Sequence, residues 1–310
     1  MIVLEESMKY KNVEYINADK QFESIKTFLT KLQYVKNHDN NWDPSRFDWW
    51  RYSYHYDKDE TFFRSNCHYW TTENDSIVAV AISEYGKNDI FIVVDPDHKV
   101  LYGDVIKWCR DVFGNGKTEI ISPIFLVDAY KIEKLEENGF NKSKHENNVR
   151  TYNLANYKFD YELAKGYRLM NFSDYRDFES KSELICSAFS KKEHPVSRIE
   201  PFMNTPGYMT DLDLIIVNEN QKAVAYCTGW LEQYDDSLGY IEPMGVHEDY
   251  RRLGFGTVLA KECFKRLLEK GVKYATIASN AEPDISNLLY DSLKPIEKKS
   301  GYEFVLKLRD

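Results

Sequence analysis

The residues best suited to chemistry lie in one segment, Tyr240–Thr257, which reads Tyr-Ile-Glu-Pro-Met-Gly-Val-His-Glu-Asp-Tyr-Arg-Arg-Leu-Gly-Phe-Gly-Thr. A strand pattern ends there in a turn, and Arg251, Arg252, Gly254 and Gly256 lead directly into a helical pattern. Glycine permits positive φ and close approach of the backbone to a ligand. The first turn of a helix leaves N–H groups unpaired at the positive end of its dipole. Together these features make an anion site suited to a pyrophosphate, with arginine charge beside it. The competing reading is an ordinary strand-to-helix turn; the two arginines ahead of the glycines and the helix behind them favour the anion site. Upstream, Pro243 cannot donate a ladder hydrogen bond, so the strand is expected to bulge or splay beside Glu242. Elsewhere the chemistry is sparse. The seven histidines are dispersed without metal-ligand spacing, and neither a G-x-S-x-G nor a P-loop pattern occurs. Cys227 and Cys263 fall on a strand and a helix stripe with no paired histidine, which argues against a covalent cysteine mechanism.

The elements that must hold this segment can be traced from hydrophobic period. Asp213–Val217, Ala223–Trp230 and Gly239–Val246 read as strands, and Tyr167–Asn171 as another before them. Gly256–Lys270 reads as a helix with Leu259, Cys263, Phe264, Leu267 and Leu268 along one side, stopped by Gly271. Tyr274–Ala278 is a strand, Pro283–Leu293 a helix and Tyr302–Leu308 a last strand; Asp174–Phe189 is an earlier helix. The first half shows the same order: a strand at Asn12–Ile16, a helix over Phe22–Leu32, a helix begun by Asp43-Pro44, strands at Ile77–Ser83 and Ile90–Val94, a helix over Leu101–Phe113, a strand at Thr118–Ile121, a helix over Ala129–Asn138 and a closing strand at Val149–Leu154. Val78–Ala81 aligns with Val224–Cys227, and Val94–Lys99 with Val246–Arg251. The repeated order argues for duplication, with domains at 1–158 and 159–310. In that register Lys99 takes the place of Arg251, Tyr102 of Gly254 and Asp104 of Gly256, so the first half has lost the glycines and set a carboxylate at its helix start. Four of the six tryptophans (Trp42, Trp49, Trp50, Trp70) crowd the first half, as a packed core or interface or, alternatively, as an aromatic wall for a cationic acceptor.

Composition bounds these readings. The 310 residues are 43% hydrophobic and 29% charged, which supports two cores and excludes wholesale disorder. Asp plus Glu number 50 against 41 Lys plus Arg, a formal charge of -9, which weighs against a dedicated nucleic-acid binder. No apolar run is long enough for a membrane span, and the start MIVLEESMKY lacks the basic, apolar form of a signal peptide. The five cysteines, odd in number and without CxxC spacing, read as reduced thiols of a cytoplasmic protein.

Arg251-x-x-Gly254-x-Gly256, after a Val-His-x-Asp-Tyr strand end, resembles motif A of the GNAT superfamily of acyl-CoA N-acyltransferases, and Ala278-Ser279-Asn280 with Asn287-Leu288-Leu289-Tyr290 resembles that family's next strand and helix. The resemblance covers most of Tyr167–Leu308. It implies an α/β (α+β) fold of two tandem GNAT-like domains, each a mixed, mostly antiparallel twisted sheet flanked by helices. The sheet would splay between its fourth and fifth strands to take the pantetheine arm of acetyl-CoA (coenzyme A). Met244, Gly245 and Val246 would pair with pantetheine amides, and Leu253, Gly254, Phe255, Gly256 and Thr257 would hold the pyrophosphate by N–H groups. Arg251 or Arg252 would add charge, Asn287 would hold the cofactor, and Asn280 the cofactor or the acceptor. By analogy Tyr290 is the candidate acid and Glu242 the candidate base in direct transfer of an acetyl group to a primary amine, of a small molecule or a peptide. No metal, nucleic acid or membrane partner is implied. The first domain would keep the fold without a CoA site. Two rival readings stay open: a catalytically silent acyl-CoA binding or regulatory module, and a tRNA-dependent aminoacyl transferase. The chain departs from the family at Glu248, where proline is frequent, and at Lys294-Pro295, where Gly-Phe is frequent.

Overall fold

The computed structural model describes residues 10–36, 42–126, 128–282 and 284–308. The chain forms two compact units that do not follow a single cut: one comprises residues 1–50, 57–146 and 300–310, the other residues 51–56 and 147–299. The expected helix start at Pro283 and the stretch before Tyr10 lie outside the described residues.

In the first unit a strand (β1, Tyr10–Glu14) precedes helices α1 (Asp19–Thr30), α2 (Pro44–Trp49) and α3 (Glu60–Asn66) and strands β2 (Cys67–Thr72), β3 (Ile77–Ile82) and β4 (Phe91–Val94). The four strands pair antiparallel in sequence order. The Asp43-Pro44 signal is realised: the Asp43 carboxylate accepts from the Arg46 N–H at 2.7 Å and Pro44 opens α2. Helix α4 (Tyr102–Trp108), strand β5 (Glu119–Phe125), helix α5 (Ala129–Glu137) and strand β6 (Asn141–Asn153) follow. The tryptophan crowd is core: Trp42 and Trp50 have no exposed surface, Phe47 stacks on Phe22 and Trp50, and the Trp50 indole donates to the Ser83 carbonyl at 3.0 Å. Aromatic burial, not a ligand wall, accounts for these residues.

The second unit contains β7 (Arg168–Asn171), helices α6 (Phe172–Tyr175), α7 (Phe178–Ala188) and α8 (Ile199–Met203), strands β8 (Asp213–Val217), β9 (Ala223–Leu231) and β10 (Leu238–Val246), helix α9 (Phe255–Glu269), strand β11 (Tyr274–Asn280), helix α10 (Asp284–Ser292) and the start of β12 (Glu297–Lys307). The helix read over Asp174–Phe189 begins later, because Arg176 turns the chain at φ 49 between α6 and α7. The stripe on α9 packs as its spacing demands: Leu259, Cys263, Phe264 and Leu267 are fully buried with Leu214, Ile216 and Ile277. Each such aliphatic or aromatic side chain contributes roughly 1.5–3 kcal/mol on burial.

Two strands depart from the sequence reading. The strand read at Val149–Leu154 as the close of the first half is the end of β6, whose residues 147–153 pair antiparallel with β11 in the second unit, from Asn153↔Tyr274 to Asn147↔Asn280. The chain's last strand pairs instead with β5 in the first unit, from Gly301↔Phe125 to Lys307↔Glu119. An open strand edge takes whichever strand completes its ladder, and nearness in sequence does not decide which one that is.

Candidate active site

β10 is where the second sheet opens. Its first residues pair parallel with β11, Leu238–Ile241 against Tyr274–Ile277, and the pairing stops there. On its other side β10 pairs with β9, but the register shifts between Ile241 and Met244, across Pro243. The expected bulge is present, because proline has no N–H for the ladder. The Trp230 indole donates to the Glu242 carbonyl at 2.5 Å and fixes the bulge, and Tyr240 stacks on Trp230 at 6.0 Å. Beyond it, Met244, Gly245 and Val246 pair with Cys227, Tyr226 and Ala225 on one side only. β11 meanwhile continues to Asn280 with β6 as its other neighbour. A notch therefore separates the ends of the two strands, with Glu242 exposed beside it.

The turn after β10 is built around backbone groups. The His247 N–H donates to the Val224 carbonyl at 2.9 Å and the Glu248 N–H to Ser187 Oγ at 3.0 Å. Arg252 (φ 64) and Gly254 (φ 82) reverse the chain into α9. Gly254 occupies the N-cap position and brings no side-chain cap, and the first backbone bond of the helix runs from the Val258 N–H to the Gly254 carbonyl. The N–H groups of the first turn thus point outward at the positive helix end. Gly256 serves packing: a Cβ there would lie 2.6 Å from Leu289 Cδ2, so its absence lets α10 lie against the start of α9. Arg251 spends its guanidinium on the carbonyls of Val246 (3.4 Å) and Ala188 (3.2 Å), which ties the turn to the end of α7; Arg252, Leu253 and Gly254 are exposed and Thr257 is half-buried.

Among the other residues singled out in the sequence, Tyr290 lies on α10, 7% exposed and packed in the α9 core. Burial pushes its hydroxyl well above the ordinary phenol value; nearby Cys227 and Glu242 add to this and the Arg150 guanidinium opposes it. Asn287 is committed within the protein. Its amide donates to the carbonyls of Asn280 (3.0 Å) and Ala281 (2.9 Å), and its oxygen accepts from Asn148 (3.1 Å), Arg150 (2.7 Å) and Ser279 (2.9 Å). Its side chain locks the end of β11 to α10. Asn280 is exposed, its carbonyl taken by Asn287. Burial raises the Cys227 thiol far above its ordinary value, the opposite of an activated nucleophile.

In the first unit the equivalent turn is filled. Asp95 caps it, accepting from the Asp97 N–H at 3.0 Å, and Tyr102 is 3% exposed, bonded to the Asp128 carboxylate and packed on Tyr130 at 5.7 Å. A cavity of about 100 Å³ remains, lined by Val94, Pro96, Lys99, Tyr102, Asp128 and Tyr130. Among the described residues no cluster of histidine, cysteine, aspartate and glutamate could hold a metal, and no helix is long and apolar enough to cross a membrane.

The model of the acetyltransferase (GNAT) family matches residues 178–287, from α7 through the turn to α10. Solved structures extend the likeness to nearly the whole chain. A GCN5-related N-acetyltransferase from Sphaerobacter thermophilus is 14% identical, with 97% of this chain and 96% of that one covered and a TM-score of 0.68. A tandem GNAT protein from the clavulanic acid biosynthesis pathway is 11% identical, with 97% and 99% covered and a TM-score of 0.70. The N-myristoyltransferase of Saccharomyces cerevisiae, solved with bound myristoyl-CoA, is 12% identical, with 98% and 80% covered and a TM-score of 0.60. No curated protein matches the sequence. The chain therefore has the tandem GNAT fold, and the GNAT family works in general with acyl-CoA.

Proposed function

We propose that the protein is an acyl-CoA-dependent N-acyltransferase, using acetyl-CoA, with one working site in the second unit. The observation that carries this reading is the notch: β10 leaves β11 after Ile241, and its open edge runs straight into an uncapped helix start. An extended amide-bearing chain can add to such an edge, and a pyrophosphate fits the N–H groups at its end. Met244, Gly245 and Val246 would take the pantetheine amides, and Leu253 to Thr257 the pyrophosphate. Arg252 supplies exposed positive charge, and Arg251 shapes the turn. Bound acetyl-CoA would supply an activated thioester.

Glu242, at the mouth of the notch, takes a proton from the acceptor ammonium, directly or through water, because an alkylammonium near pKa 10.4 cannot attack while protonated. The amine nitrogen then bonds to the acyl carbon and the carbon–sulfur bond breaks. Tyr290 gives its proton to the leaving thiolate. The proton still in excess on the nitrogen leaves to water, from which the Tyr290 phenolate is later reprotonated. Alignment of the two reactants supplies much of the rate. Thermal-shift titration with acetyl-CoA, followed by thiol-release assays over amines, amino acids and peptides, tests the reading. Stabilisation together with turnover is expected; absence of stabilisation overturns it. The raised phenol supports a second reading, a silent acyl-CoA binding module, which stabilisation without turnover on any amine would favour.

A further inference from the structure

Arg150 lies on β6, on a strand that the sequence order assigns to the first half, yet it is buried in the second unit with none of its side chain exposed. Its Nε is paired with the Asp291 carboxylate, its Nη1 donates to Ser279 Oγ at 3.0 Å and its Nη2 to Asn287 Oδ1 at 2.7 Å. Its Cζ stands 5.9 Å from the centre of the Tyr290 ring. The same strand reaches α10 twice more: the Tyr152 hydroxyl donates to the Tyr290 carbonyl at 2.9 Å, and beyond the strand the Tyr157 hydroxyl donates to the Leu293 carbonyl at 3.0 Å. Helix α10 is thus riveted along its length to residues 150–157. A buried cation is costly unless it is paired and hydrogen-bonded; Arg150 is paired with Asp291 and donates from all three of its nitrogens, in a place where an apolar residue would pack with less demand.

We infer that Arg150 is the positioning residue for Tyr290, holding α10 over the notch and setting a fixed positive charge beside the ring. The inference rests on the acid role proposed for Tyr290. Proton transfer from an ordinary phenol, near pKa 10, to a thiolate, near 8.5, is already uphill, and burial of Tyr290 makes it steeper. A guanidinium that cannot lose its proton stabilises the phenolate as it forms and offsets part of that penalty. Lysine would keep the charge and lose the fork that reaches Asp291, Ser279 and Asn287 together.

The test is a double-mutant cycle on the full chain, Arg150→Met against Tyr290→Phe, read by thiol release from acetyl-CoA with the fastest amine of the panel or, where none reacts, with water. Amide exchange over residues 285–292 is measured on the same proteins. Arg150→Met is expected to lower kcat about tenfold at unchanged KM for acetyl-CoA and to speed exchange in α10. In the Tyr290→Phe background it is expected to change kcat less than twofold. Arg150→Lys restores part of kcat. If Arg150→Met does not fold, Arg150→Lys and Asp291→Asn carry the same cycle. Equal losses in both backgrounds, or unchanged exchange in α10, overturn the inference while leaving the acid role of Tyr290 intact. A Tyr290→Phe protein with undiminished turnover, or no thiol release from any protein, instead removes the reading beneath it, and the inference falls with that reading.

Discussion

The two strand-to-helix turns of this chain, one in each unit, diverge at the helix start. After β10 the chain passes Arg252 and Gly254 with positive φ and enters α9 without a side-chain cap. After β4 an aspartate, Asp95, caps the turn and is itself paired with Lys36, and Tyr102 seals the space with Asp128 and Tyr130. In the second turn the outward N–H groups favour an anion. In the first, α4 also starts without a side-chain cap, but Asp104 stands in its first turn and an aromatic ring fills the room a ligand would need. The fold persists in both, so the capacity to hold a pyrophosphate rests on a few positions at one helix end, and we propose that only the second turn retains it.

The largest effect is expected from copying the first turn into the second. Gly254→Tyr places a side chain at φ 82 and blocks the helix start; acetyl-CoA stabilisation should vanish in a thermal-shift titration. A retained shift would break the contrast between the turns. Next, Tyr290→Phe should lower kcat ten- to a hundredfold with acetyl-CoA affinity unchanged, measured by thiol release beside calorimetric binding. The reverse experiment in the first unit is Tyr102→Ala. It should cost about 3 kcal/mol in urea denaturation and create no acetyl-CoA binding, since removing a plug leaves the Asp104 carboxylate in the first turn of α4. Binding at that turn would show the contrast to be steric alone.

A pH experiment separates the packing chemistry of the first unit from the site chemistry of the second. His68, 8% exposed and stacked on Trp108 at 4.5 Å, is lowered by burial to about 4 from 6.5. Below pH 6.5 the unfolded chain takes up a proton that the folded one refuses until about 4. The contribution is complete above 6.5 and is lost as pH falls through that window, on the order of 2–3 kcal/mol in all. His68→Phe should therefore lose less stability than the parent between pH 7 and 5, with acetyl-CoA binding unaltered. Equal losses would deny His68 that role. The smallest effect is expected for Arg252→Ala, a two- to fivefold weakening of acetyl-CoA binding that diminishes with added salt, as suits an exposed charge.

The second unit was highly legible because its signals are local. Gly254, Gly271 and Pro243 punctuate the chain where structure changes, and the α9 stripe repeats at helical period. The helix start at Pro44 was legible for the same reason. Strand β6 was not. Its buried positions are Asn148, Arg150 and Tyr152, while Val149 and Thr151 lie on the more open face, so hydrophobic alternation points to the wrong side. That single inversion hid both the burial of Arg150 and the pairing of β6 with β11. The bonds of Asn287 were hidden for a related reason: its spacing to Tyr290 is visible in the sequence, but the five partners of its amide come from two separate segments, β6 and the end of β11. The tryptophan crowd was legible as aromatic mass, and only the fold places it in the core.

The pairing of β6 with β11 and of β12 with β5 has a practical consequence for dividing the molecule. A fragment beginning near residue 159 would leave β11 with a raw edge and discard the guanidinium beside Tyr290. Its complement, ending there, would expose β5 for want of the chain's final residues. Neither piece is a self-sufficient module, so loss of the first half through evolution or engineering would disarm the second, even though the first half carries none of the proposed reacting groups.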